Sequence, residues 1–410
     1  MIIPYHDMIL LDYGDRWRMH RRWIQNTLSN KASLVAWQIA QKREVSVLLI
    51  SLIAEPDQFL KHVRRYSAAL IMEIAYGYTV KSADDQYVVT MTEAMEGVAG
   101  SGNAGATIVD FFPVLKYIPT WMPGAAFKRK AIATQHIVRE AVDAPFEWVK
   151  KQMKAGIANQ SIMSQLIEES EKKGTLAEDE LDLRGVGGAV FGAGTDTTSS
   201  VLATFALTMV LHPQVLRKAQ EEIDRVVGPD RLPEFSDRAA LPYVESVINE
   251  VYRWNVSAPL GIPHCASEDD EFLGYRVAKG TMVIPNIWAM SQKEDIYPDP
   301  QEFRPERFMA MGASEMETAD PRNYIFGFGR RICPGRHFAD STIWIAVANL
   351  IATMNIRETK NTGSERKSTT LAPSFVPGIV SHPQPFDCCI EPRSARSEAL
   401  ITQLRVATDG

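Results

Sequence analysis

The chain has 410 residues, 45% of them hydrophobic and 23% charged, with a formal net charge of -6. That composition is ordinary for a globular protein with a large buried core, and the acidic balance excludes a general nucleic-acid binder. The four cysteines, Cys265, Cys333, Cys388 and Cys389, have no metal-knuckle spacing and are too sparse for a disulfide framework, which favours a reducing compartment.

Length alone allows two or three domains of ~150 residues. No stretch reads as a linker, so residues 1–410 are expected to form a single domain. Residues 1–11 are short, mixed and carry Asp7, and they read as neither a secretory signal nor an anchor. Trp17 and Arg21, in Trp17-Arg18-Met19-His20-Arg21, share one face of an expected helix. The charged run 168–182 is expected to be a surface loop. Residues 186–211 carry one charge, Asp196. A membrane span needs ~20 apolar residues, but five threonines, two serines and four glycines around that aspartate favour a buried helix beside a polar site.

Residues 213–227 read as a helix, with Pro213 in its first turn and Gly228 just past its end. A second begins near Pro242, where Val244, Val247, Ile248 and Val251 keep the helical rhythm. Residues 272–285 read as a short hairpin with turns at Gly274 and Lys279-Gly280. A third helix follows Gly335 and runs towards Met354. Residues 361–367 are expected to be a surface loop, and 374–390, rich in proline and β-formers, to be short strands. The fold class is mainly α with a small β portion.

The strongest chemical signal is Phe326-Gly327-Phe328-Gly329-Arg330-Arg331-Ile332-Cys333-Pro334-Gly335. A thiolate ligand needs an accessible sulfur, room for a flat macrocycle and donors that hold the charge. Gly327 and Gly329 let the chain pass close to a ring. Cys333 stands just before a helix, whose N-terminal amides and dipole favour an anionic sulfur. Arg331 can pair with an acidic cofactor edge. A buried structural thiol is the alternative for a lone cysteine, and the frame around this one weighs against it.

The second signal is Ala193-Gly194-Thr195-Asp196-Thr197-Thr198, an acid beside a hydroxyl in an apolar helix, which is costly to bury without purpose. The Thr197 hydroxyl can hold a ligand by a hydrogen bond and Asp196 can pass protons inward. A threonine bonded back to its own helix and an ion-paired aspartate form the alternative. The third is Glu250-Val251-Tyr252-Arg253, whose charges share a helix face. Apolar flanks suggest burial, which such a pair tolerates only with further partners.

The cysteine segment resembles the haem-binding signature of the cytochrome P-450 family: Phe326, Gly329, Arg331, Cys333 and Gly335 fill every fixed position. The resemblance covers nearly the whole chain, with the motifs in the family order. It implies the cytochrome P-450 fold, haem b with Cys333 as the axial ligand of iron, and Asp196 and Thr197 on the oxygen-activating helix. It joins Glu250, Arg253 and Arg307 into a structural charged triad. It makes Trp17, Arg21, His264 and Arg331 partners of the haem propionates, although a capped loop histidine accounts equally well for His264. Residues 256–262, Val190, Phe191 and 374–380 are implied to line the substrate cavity, and their apolar character is also what a plain core would show.

By the same resemblance, the Trp17 helix normally follows a membrane anchor, a hinge, the first helices and the first sheet strands. The chain is therefore expected to be N-terminally truncated, as a fragment, an incomplete gene product or a shortened isoform, and to be poorly stable if it is the entire product. The motifs are of the eukaryotic microsomal style and resemble fungal members tied to secondary metabolism. The implied location is the cytosolic face of the endoplasmic reticulum membrane. The expected reaction inserts one atom of O2 into an apolar small molecule, by hydroxylation or epoxidation. Its electrons come from a separate NADPH-dependent cytochrome reductase, or a small cytochrome, docked on a basic face that includes Arg330, Arg331 and Arg336. Peroxide-driven or isomerase chemistry on the same haem, and an inactive truncated haem-binding protein, are the alternatives.

Overall fold

The computed structural model describes residues 5–99, 108–359, 373–376 and 378–408. The chain divides into two compact units interleaved in sequence. Met1–Asn30, Ala68–Asp196 and Leu260–Pro285 form the first, and Lys31–Ser67, Thr197–Pro259 and Asn286–Gly410 the second. Helices dominate, and the described residues hold four two-stranded antiparallel ribbons.

In the first unit, helix Asp15–Leu28 buries Trp17, His20, Arg21, Ile24 and Leu28, a stripe at helical spacing. Helices Gln86–Ala99 and Ala126–Lys154 pack together. Helix Ile162–Lys173 opens on a capping box, in which Ser161 and Ser164 each receive the other's backbone N–H, and ends at Gly174, whose φ is 72°. Pairs of Lys172 with Glu168 (2.6 Å) and Lys173 with Glu169 (2.5 Å) line its exposed face.

The run 168–182 is thus helical, not a surface loop. Its first half ends that capped helix, and its second half lies in the next helix, Leu176–Leu211. Local caps and i, i+4 pairs outweigh the polarity that suggests a loop. Asp182 is buried, and its Oδ1 meets His20 Nε2 at 2.8 Å and His6 Nδ1 at 3.1 Å.

The long helix Leu176–Leu211 carries residues of both units. In the first unit its glycines admit neighbours closely: a Cβ on Gly187 would lie 2.6 Å from the Tyr76 hydroxyl. The Tyr76 ring then stands edge-on to Phe191, 6.2 Å away. Among the described residues no single helix is long and apolar enough to cross a membrane.

The expected hairpin at 272–285 is two nested ribbons. Asp270–Phe272 pairs with Tyr275–Val277 across the two-residue turn Leu273-Gly274, where both φ are positive (53° and 81°). Met282–Val283 pairs instead with His264–Cys265. A turn of that type closes the inner pair early, which leaves the later strand to an upstream partner.

In the second unit, helix Arg336–Thr353 packs against Lys31–Ala54, Pro213–Val226 and Pro242–Trp254. It is apolar on most faces, as a helix surrounded by others must be. Gln41 Nε2 donates to Thr342 Oγ1 (2.7 Å), and the Tyr66 hydroxyl to the Thr342 carbonyl (3.0 Å). Pro213 and Pro242 each open a helix, and Gly228 follows the first with φ 80°. The Glu222 carboxylate accepts the backbone N–H of Tyr243 and Val244, each at 3.0 Å, and so caps the Pro242 helix from another element. Strand Met354–Glu358 pairs with Cys388–Pro392, and Phe375–Val376 with His382–Pro383. The tail is therefore stranded as expected, while residues 361–367 lie outside the described part.

Candidate active site

The cysteine loop belongs to the second unit. The Gly327 N–H donates to Tyr324 O (3.0 Å) and the Cys333 N–H to Phe326 O (2.7 Å), which closes the loop on itself. Gly327 and Gly329 have φ of 80° and 55°, in the region that side chains avoid. A Cβ on either would meet no atom within 4 Å, so open space lies beside the loop. Cys333 is half-buried, takes part in no disulfide, and precedes helix Arg336–Thr353 with Gly335 as its N-cap. Arg331 is half-buried and Arg330 exposed.

Behind the loop stands Tyr252, edge-on to Phe326 at 6.2 Å. Burial, and next the charge of Asp340, push its phenol far above the ordinary value. A charge cluster backs the same segment: Glu245 meets Arg322 (2.5 Å) and Arg238 (2.9 Å), and Asp340 meets Arg238 (2.7 Å). Burial alone would raise the Glu245 pKa, but hydrogen bonds and charge from Arg238 and Arg322 hold it below the usual carboxylate range.

Tyr252 lies between Glu250 and Arg253, which are fully buried. Arg253 donates Nε to Glu250 Oε2 and one terminal nitrogen to Oε1, both at 2.8 Å. Arg307, 5% exposed, donates Nε to the same Oε1 at 3.1 Å, and the Arg304 amide donates to it at 2.8 Å. The guanidinium donors left over reach carbonyls of Ser291, Pro300 and Glu302 from Arg253, and of Pro298, Asp299 and Glu302 from Arg307. These are the further partners that a buried ion pair requires. The three residues form one cluster that ties helix Pro242–Trp254 to the segment before the cysteine loop.

The long helix changes character at the second motif. Phe191 and Gly192 are buried, Ala193 is exposed, and Gly194, Asp196 and Thr197 are half-buried, with Thr195 and Thr198 buried again. A Cβ on Gly194 would lie 2.5 Å from Ile71 Cδ1. Thr195 Oγ1 is buried with no hydrogen-bond partner among the described residues. In the first unit Trp17 and Arg21 are buried one turn apart, and His264 is half-buried on a strand opposite Val283.

The expected cavity lining is mixed. Val190 and Phe191 are buried in the long helix, whereas Val256 lies in a core cluster with Ile287, Tyr297, Phe308 and Tyr324. Leu260 and Ile262 are exposed. Sequence reasoning missed the Glu222 cap and the His20–Asp182 pair, whose partners lie 21 and 162 residues apart with no local signal.

Within the second unit, a cysteine just ahead of a helix N-terminus and two glycines with open space beside them suit a flat macrocycle, and the half-buried Arg331 of the same loop suits its carboxylate edge. The residues present thus fit haem, and this is the chemistry of a haem-thiolate oxidoreductase.

Residues 4–390 match the cytochrome P-450 family model. The chain is 44% identical to cytochrome P-450 monooxygenase 176 of Postia placenta, over 97% of this chain and 76% of that protein. It is 41% identical to cytochrome P-450 monooxygenase COX2 of Coprinopsis cinerea (96% and 74%) and 36% identical to tryptamine 4-monooxygenase of Psilocybe cyanescens (95% and 76%). The chain belongs to the cytochrome P-450 family, with fungal relatives, and its function is that of a haem-dependent monooxygenase.

Proposed function

We propose that the protein hydroxylates or epoxidises an apolar small molecule in secondary metabolism, with electrons from a separate NADPH-dependent reductase or a small cytochrome. The observation that carries the site assignment is the cysteine loop, closed from Cys333 N–H to Phe326 O over two positive-φ glycines with open space beside them. In this reading Cys333 would give its thiolate sulfur to haem iron. Trp17, Arg21, His264 and Arg331 would hold the propionates. Phe326, Gly329 and Gly335 shape the seat, and Glu250, Arg253 and Arg307 brace it. Residues 1–410 are read as one catalytic domain, a reading supported by the family match over residues 4–390.

Haem, when bound, supplies activation of dioxygen and the transfer of one oxygen atom to substrate, chemistry that thiolate ligation favours. The chain's own residues manage what surrounds it. The Thr197 hydroxyl holds dioxygen by a hydrogen bond. The Asp196 carboxylate, half-open on the helix, relays protons inward from solvent. Apolar Val190 and Phe191 exclude water from the reacting carbon. The name of the Psilocybe relative places one member on a small indole amine, which supports a compact, largely apolar substrate.

Location at the endoplasmic reticulum membrane, on its cytosolic face, belongs to the same proposal. Phe111, Phe112, Val114, Tyr117 and Trp121 are exposed by 60–77% within a short stretch, a composition suited to a lipid interface. The test is turnover with purified reductase and NADPH against hydrogen peroxide alone, over a panel of apolar aromatics and terpenes. NADPH-dependent product with one oxygen added supports the reading. Product from peroxide alone would replace it with the peroxygenase alternative.

A further inference from the structure

Four buried polar side chains of the second unit close a hydrogen-bonded ring. The Ser200 hydroxyl donates to the carbonyl of Ser381. The Ser381 hydroxyl donates to Asn255 Oδ1 at 3.1 Å, and Asn255 Nδ2 donates to Thr204 Oγ1 at 2.9 Å. The Thr204 hydroxyl donates to the carbonyl of Ser200 at 2.9 Å, which completes the circuit. Ser200 and Thr204 are fully buried, and Asn255 and Ser381 are 8% and 9% exposed.

The ring joins three elements far apart in sequence. Ser200 and Thr204 lie on the long helix, three and seven residues after Thr197 and hence on its face. Asn255 ends helix Pro242–Trp254, next to the braced pair Glu250–Arg253. Ser381 directly precedes the second strand of the ribbon Phe375–Val376 / His382–Pro383. The ribbon has two further holds: the Ser381 N–H donates to Ser257 O at 2.8 Å, and Phe375 stands edge-on to Trp254 at 5.8 Å. A threonine bonded back to its own helix is commonplace. Here its hydroxyl also accepts from another element, and the helix one turn earlier grips a third.

Buried hydroxyls and amides cost stability unless satisfied, and a closed circuit satisfies each at the expense of adaptability. We propose that Ser200, Thr204, Asn255 and Ser381 are positioning residues that fix the Phe375–Pro383 ribbon against the Thr197 face of the long helix and so set the size of substrate accepted. The proposal rests on the haem monooxygenase reading. Apolar substrate on that face would meet a wall held by three elements at once. A wall of that kind selects by shape rather than by charge.

The test compares the holoenzyme with Thr204→Val, which keeps the volume but removes the hydroxyl, with Ser200→Ala, and with Thr204→Ser, which restores the hydroxyl. Optical titration uses imidazole as a small haem ligand and clotrimazole as a bulky one, and hydrogen exchange is followed over residues 378–386. Thr204→Val and Ser200→Ala are expected to change clotrimazole affinity by about fivefold, the worth of one net hydrogen bond. They should leave imidazole within about twofold and speed exchange of the ribbon, while Thr204→Ser behaves as wild type. Unchanged clotrimazole affinity with unchanged exchange overturns the proposal, as does an equal loss for both azoles. Should wild type show no thiolate-type carbon monoxide spectrum, the monooxygenase reading fails by itself, and ribbon exchange in Thr204→Val still decides whether the ring holds the ribbon.

Discussion

Replacing Glu250 with glutamine removes one charge from a fully buried site. The carboxylate accepts four donors: two from Arg253 at 2.8 Å, the Arg304 amide at 2.8 Å and Arg307 Nε at 3.1 Å. In the Gln side chain one oxygen still accepts, while the amide nitrogen turns its own hydrogens towards a guanidinium. Two buried cations then face each other without a counter-charge. Breaking a buried pair from one side costs about 3–5 kcal/mol. The carbonyls of Ser291, Pro300 and Glu302 still solvate Arg253, which places the expected loss near the lower limit, about 3 kcal/mol. That is a large share of a total stability of about 5–15 kcal/mol. The assay is urea unfolding of the haem-loaded protein, followed by far-ultraviolet circular dichroism and the Soret band. Arg304→Ala is the control, because only its backbone reaches Glu250, and it should stay within about 0.5 kcal/mol. If Glu250→Gln unfolds within about 1 kcal/mol of wild type, the buried cluster does not brace the loop.

Three other outcomes are expected. Asp196→Asn should keep the thiolate-type spectrum while kcat falls about 100-fold or more; retained turnover would remove Asp196 from proton delivery. Gly329→Ala places a side chain at φ 55°, a strain of about 1–2 kcal/mol, and should speed haem loss measured by transfer to an apo-globin. Asp7 gives a pH signature: burial pushes its carboxyl up to about 6 from 3.8, against the opposing bond from the Ile9 N–H. A folded pKa above the unfolded one contributes stability at low pH that is lost as pH rises through about 4 to 6, at most about 3 kcal/mol. Asp7→Asn should therefore be the more stable protein at pH 7.5 and lose that advantage near pH 4, as read from thermal midpoints at both values.

Where a role depends on neighbours in sequence, the residues announced it. The helices opened by Pro213 and Pro242, and the one following Gly335, appear at those positions because proline, glycine and apolar spacing act within a few residues. Glu250 and Arg253 share a helix face by spacing alone, whereas Arg307 joined them only through family resemblance, and the geometry places all three in contact. The charged run 168–182 misled because charge reports exposure poorly: Asp182 is buried on two histidines from elsewhere in the chain. Val256 shows the converse ambiguity, since an apolar residue in a core cluster reads like one in a cavity wall. The Ser200–Thr204–Asn255–Ser381 ring left no trace in sequence, because its members span 181 residues and each is an ordinary polar side chain alone.

The central claim, that Cys333 gives its sulfur to haem iron, is tested most directly by the carbon monoxide difference spectrum of dithionite-reduced protein beside Cys333→Ser. Wild type should show a Soret maximum near ~450 nm, and Cys333→Ser should lose it, with absorbance moving to ~420 nm or haem not retained. A wild-type maximum at ~420 nm, or a Cys333→Ser protein that keeps the ~450 nm band, would contradict the assignment.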